Sequence, residues 1–283
     1  MKKMKKLFIN LVACVMLVVA CFSLTACGED VRTVDLTVSV YDYENKKTEE
    51  VTLTMDLYGH LAKDTVDAIE GYLADGYYND AVFYQLKSYG KQIMLGDLKY
   101  DATNGLVQNA IKPELDGEFT ANGVKGTNLL SKRGYVGLWR TWYESDGSYT
   151  TSSDARNSAR STMFIPTDTI SEYDGQMCIF ATIDLEDANN ANALKLIESA
   201  YADANVEEFE IYYTGEFNAE KVDENYGLTY NCVAKDDFDE EEIEDLFKAE
   251  GAQYVSFNHY TVKLAVFGED NAPAVKVVSA SVK

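Results

Sequence analysis

Five cysteines and two histidines are the residues in this 283-residue chain best suited to metal or nucleophilic chemistry, and they do not form a set. His60 and His259 are the only imidazoles, so a histidine-rich metal site is excluded. No CxxC or Cys/His spacing suggests zinc. Cys178 and Cys232 sit in apolar, strand-like contexts and read as two buried thiols, with a disulfide between them as the other possibility. The acidic run from Asp236 to Asp245 lacks the central Gly and the ligand spacing of a calcium loop. It reads instead as an acidic helix start, with Ile243, Leu246 and Phe247 on the buried face. Ser148 to Ser153 reads as a surface loop, with no base close by in sequence. No phosphate-binding loop, dinucleotide fingerprint or nucleophile elbow is present. The expectation is a chain without metal or cofactor.

Cys27 stands apart. Met1 to Lys6 carries four lysines, and the chain is then apolar from Leu7 to about Ala20. The segment ends Leu24-Thr25-Ala26-Cys27-Gly28. A basic start, an apolar stretch and small residues before a cut site make an export signal. The last five residues resemble a bacterial lipobox, in which the chain is cut before a Cys that receives lipid. Residues 1–26 are then the signal peptide, Cys27 the lipidation site, and 27–33 a tether. A plain signal anchor is the rival, because about twenty apolar residues can span a bilayer. Glu29 and Asp30, directly after Cys27, favour the lipobox. Cys14 and Cys21 leave with the signal.

The net charge is −22, and the first 26 residues hold four positive charges and no acid, so the remainder is more acidic still. Such a field repels nucleic acid and anionic membrane surfaces, so no nucleic-acid partner is expected. Apolar residues make up 46%, enough for a substantial core. With three prolines, long disordered linkers are not expected. The 20 tyrosines read mainly as half-buried sheet residues.

Alternating apolar residues at 34–40 and 51–57 predict an antiparallel strand pair. Val66, Ile69 and Leu73 share one face of a helix over 65–73 that Gly76 ends. Short apolar segments lie at 83–86 and 92–95, strands are predicted at 135–138, 161–165 and 176–183, and a helix at 191–201. Residues 98–131 are loop-rich. Strands at 209–213, 228–234 and 254–267, a helix at 238–248 and a final strand at 275–282 follow.

Over Val51 to Tyr201 the order of motifs resembles a cyclophilin. Leu61-Ala-Lys-Asp-Thr-Val66 is similar to the family's "LAPKTV" and Gly76-Tyr-Tyr-Asn79 to its "GYYDG". Val82 to Leu86 sits where the family writes "FHRV", and Gly90 to Asp97 where it writes "GFMIQGGD". Ser161 to Ile165 matches "SQFFI", and Tyr173 to Phe180 matches "LDGKHVVFG". The resemblance implies a mainly β fold: a closed antiparallel eight-stranded barrel capped by two helices, formed by 34–204 and 271–283. Residues 205–270 are then an inserted small α/β subdomain. It also implies prolyl cis-trans isomerisation, which needs an apolar proline pocket and a donor that favours the twisted amide.

Most site positions depart from the family pattern. Gln85 falls at the catalytic Arg position and has neither charge nor planar fork. Lys91 and Gln92 fall at the pocket Phe and Met, Met94 and Thr162 at two Gln, and Met177 at the His. Glu172 takes a frequent Trp. Phe83, Phe164 and Tyr173 keep an apolar character, and Trp139 replaces a small residue of the groove floor. Arg140 or Arg160 could supply a guanidinium from neighbouring elements. The expected function is therefore a cyclophilin-like lipoprotein, anchored outside the cell membrane through Cys27. It would act weakly on proline-containing segments of secreted proteins. The alternative is a non-catalytic binder of peptides or proteins, and a third reading gives the contact to the insertion.

Overall fold

The computed structural model describes residues 30–125, 129–142, 151–214, 229–239, 241, 259–268 and 270–283. The predicted signal, Cys27 and most of the helix predicted at 238–248 lie outside these.

The chain opens with two long strands, β1 (Val31–Asp42) and β2 (Lys47–Tyr58), paired antiparallel from Val31↔Tyr58 to Asp42↔Lys47. Their alternation buries Val34, Leu36, Val38 and Val40 opposite Leu53, Met55 and Leu57. The Asp42 carboxylate turns the chain by accepting from the N–H groups of Glu44 and Asn45. Helix α1 (Lys63–Ala74) follows, with Val66, Ile69 and Leu73 buried. Its first N–H groups, on Asp64 and Thr65, donate to the Glu118 carboxylate at 3.2 and 2.7 Å.

Next come β3 (Ala81–Leu86), β4 (Gln92–Asp101), β5 (Gly105–Gln108) and β6 (Tyr135–Leu138). A one-turn helix α2 (Ser153–Arg156) precedes β7 (Met163–Pro166) and β8 (Cys178–Ile183). Helix α3 (Ala188–Ala200) is capped by Asp187, whose carboxylate accepts from the N–H groups of Asn189 and Asn190. The chain ends with β9 (Val206–Thr214), β10 (Thr229–Ala234), β11 (His259–Phe267), β12 (Ala272–Pro273) and β13 (Val275–Val282).

Eight strands close on themselves in the order β3-β13-β1-β2-β8-β6-β7-β4, and β4 pairs back to β3. Every pairing is antiparallel. The fold is mainly β, a closed eight-stranded barrel with few helices. Inward residues of these strands share one core with Val66, Ile69 and Leu73 of α1 and with Leu194 and Ile197 of α3. Cys178 lies in this core, while Cys232 on β10 is half-buried; both thiols are free.

A second apolar cluster lies on the outer face of the barrel. Val82, Tyr84, Met94, Leu98, Phe164 and Ile179 point away from the interior and pack with Ile211, Val262 and Leu264 of β9 and β11. The described part of 205–270 is largely these strands in the order β10-β9-β11, and β11 joins the barrel sheet by pairing Val262↔Leu86 and Lys263↔Gln85.

Candidate functional site

Period-two alternation decides which side chains share a face. On β3, Ala81 and Phe83 point into the barrel, while Val82 and Tyr84 point outward. On β4, Ile93 and Leu95 point inward and Met94 outward; on β7, Met163 and Ile165 point inward and Phe164 outward. The pairings Tyr84↔Met94 and Met94↔Phe164 then set three outer residues side by side. The residue aligned across from Met94 is thus Tyr84, one position before Gln85.

The structure brings together five of the sequence-predicted residues: Met94, Trp139, Phe164, Tyr173 and Met177 all belong to the outer cluster. They form a filled patch. Met94 and Phe164 are 0% exposed, and Tyr173 and Met177 are 2% exposed. Trp139 lies edge-on to Phe164 and Tyr173, at ring distances of 6.2 and 6.1 Å, and to Tyr89 at 5.1 Å. Its backbone N–H donates to the Thr162 carbonyl at 2.7 Å. Gly137 makes this packing possible, since a Cβ there would lie 2.3 Å from Phe164 Cζ.

The other predicted residues are placed elsewhere. Phe83 is inside the barrel, 1% exposed. Gln85 is half-buried at the end of β3, its backbone paired with Lys263. Lys91 is exposed and Gln92 buried; with Tyr89, Glu172 and Tyr173 they line a shallow cleft of about 290 Å³ beside the Trp139 patch. The Gln92 amide nitrogen donates weakly to Met94 Sδ at 3.3 Å. Thr162 is half-buried and lines a different cavity, of about 360 Å³, next to β5.

Both arginines are engaged by other groups. Arg140 is 2% exposed, donates from Nε to the Gln176 carbonyl at 3.0 Å and from an Nη to the Thr141 carbonyl at 2.8 Å. Its guanidinium stacks over Phe119 and Trp142. Burial, helped by the nearby Arg156 charge, lowers its pKa to about 10, so it stays charged at neutral pH. Arg160 donates to the Lys112 carbonyl and to Glu114, each at 2.8 Å.

Four polar residues absent from the sequence prediction cluster near the patch. The Tyr84 hydroxyl donates to Asp97 Oδ1 at 2.5 Å, and Gln108 donates to the Tyr213 hydroxyl at 3.0 Å. Burial raises the pKa of the Asp97 carboxyl. The outward parity of Tyr84 was readable from Val82-Phe83-Tyr84; the approach of Tyr213 from more than a hundred residues away was not. Among the described residues, no group of three or more His, Cys, Asp or Glu is arranged to hold a metal ion. A larger cavity of about 650 Å³ lies between β2 and α3 and contains none of the predicted residues.

No family model and no curated protein matches this chain. Among solved structures it is similar to a cyclophilin-type peptidyl-prolyl cis-trans isomerase from Cryptosporidium parvum. The two are 16% identical over 57% of this chain and 84% of that chain, with a TM-score of 0.36. A structure of the same isomerase in the presence of the dipeptide Ala-Pro gives 16% identity, 54% and 84% coverage and a TM-score of 0.33. At these values the likeness transfers no activity.

Proposed function

We propose that this chain is a cyclophilin-like binding lipoprotein, held outside the cell membrane by lipid on Cys27. It engages extended, proline-containing segments of secreted proteins and isomerises them weakly or not at all. One observation carries the reading: Met94, Phe164, Tyr173 and Met177 are buried in one cluster with Trp139, while the Arg140 and Arg160 guanidiniums are held by backbone carbonyls and Glu114. A proline ring then has no open apolar floor to enter. Loss of a donor that acts mainly in the transition state costs about 10²–10³ in rate. The cleft beside Lys91, Gln92 and Tyr173 remains as a shallow contact surface.

A protease-coupled assay on a proline peptide tests the catalytic half. Micromolar protein is expected to leave the rate near that of buffer, and Gln85→Arg is expected not to raise it, because the outward position beside Met94 is that of Tyr84. A rate well above buffer, abolished by Gln85→Ala, would overturn it. Incorporation of labelled fatty acid into the wild-type chain and its loss in Cys27→Ala tests the anchor. Unlabelled protein that stays in the membrane would favour the uncleaved signal anchor.

A further inference from the structure

The cavity next to β5 exists because the insertion completes it. β9 carries Tyr213 to Gln108, and that hydrogen bond forms one wall. Asp97, Lys112 and Ser161 line the rest of a space of about 360 Å³, within the range of small-ligand sites. None of Trp139, Phe164 and Tyr173 lines it, so the site stands whether or not that patch contacts peptide.

One cation of its wall, Lys112, has no carboxylate partner among the described residues. The Asp97 carboxyl accepts the Tyr84 proton, and among the described residues no other side chain donates to it. Lys112 Nζ lies 4.7 Å from the ring centroids of both Tyr72 and Tyr77, and Lys99 Nζ lies 5.7 Å from that of Tyr77. No described carboxylate forms an ion pair with either lysine, although the whole chain carries −22. Of the two cations in the wall, Lys112 and Arg160, the arginine already holds Glu114. The Tyr213 hydroxyl accepts from Gln108, which leaves its own proton to donate.

We infer that this cavity binds an α-carboxylate with its neighbouring N–H, the chemistry shared by a peptide C-terminus and a free amino acid. The carboxylate meets Lys112 and the Tyr213 hydroxyl, and the N–H meets Asp97. A neutral amide leaves the lysine unmatched. A phosphate ion supplies no N–H for the Asp97 carboxyl oxygen to accept.

Calorimetry on the full-length chain in detergent tests this with tri-alanine, its C-terminal amide, free alanine and inorganic phosphate. The free-acid tripeptide is expected to bind about ten-fold or more tightly than the amide. Lys112→Met, at a half-buried surface position, is expected to abolish that preference while the circular dichroism is unchanged. Free alanine binding as tightly as tri-alanine assigns the site to free amino acids; tri-alanine alone binding assigns it to C-termini. Equal binding of acid and amide, no binding of either, preference for phosphate, or a Lys112→Met chain that keeps the preference would each overturn the inference.

Discussion

Gly137 shows how single residues set the outer patch. A Cβ at this position would lie 2.3 Å from Phe164 Cζ and 2.8 Å from Ile179 Cδ1, and Phe164 is fully buried with nowhere to move. Gly137→Ala is expected to destabilise the fold by about 1–3 kcal/mol, read from the denaturant midpoint, because overpacking forces neighbours off their rotamers. Asp97 gives a pH signature. Its pKa is raised above the ordinary 3.8 by burial, so the folded chain holds a proton that the unfolded chain has released. Its favourable contribution is complete below about pH 4 and is lost as the pH rises through the folded value. Asp97→Asn, which keeps an oxygen for Tyr84, is expected to raise the melting temperature at pH 7–8 relative to pH 4, compared with the wild type. An unchanged difference between the two pH values would rule out a titrating Asp97. The sequence carried part of this. The swaps at Lys91, Gln92 and Met177 were legible one by one, but Asp97 had no mark of burial because its partner Tyr84 is 13 positions away.

At the scale of elements, strands and helices with strong periodicity were readable. β1, β2, α1 and β13 lie where alternation or helical spacing put them. Their ends were less so, because caps come from distant loops. Ala62 before α1 has no capping side chain, and Glu118, over fifty residues on, does the work. Glu118→Ala is expected to cost about 1 kcal/mol of stability, in line with loss of an anionic group at a helix N-terminus. An unchanged unfolding midpoint would show that water replaces it without loss. The same limit hid the seat of β11. Its alternating apolar residues read as a strand, yet pairing with Gln85 and Leu86 depends on where the barrel leaves β3 unpaired by β13.

At the scale of the whole molecule, the barrel presents two apolar faces to two different partners. The inner face meets α1 and α3, and the outer face meets β9 and β11. Fully burying one large aliphatic or aromatic side chain contributes about 1.5–3 kcal/mol, so an uncovered outer face is a large liability. A chain lacking 206–267 is expected to bind a hydrophobic dye and to self-associate, measured by fluorescence and light scattering. A monomeric, dye-silent barrel would mean that this face needs no cover. The sequence by itself determined the alternation, the helical faces, the acidic balance and the absence of a guanidinium at Gln85, because each is a local property of residue order. Tertiary structure alone decided that Trp139, Phe164 and Tyr173 fill one patch, and that Tyr213 completes a cavity with Asp97 and Lys112. Barrel closure and the return of the insertion set those neighbours, and both are fixed by strand register between segments far apart in the chain.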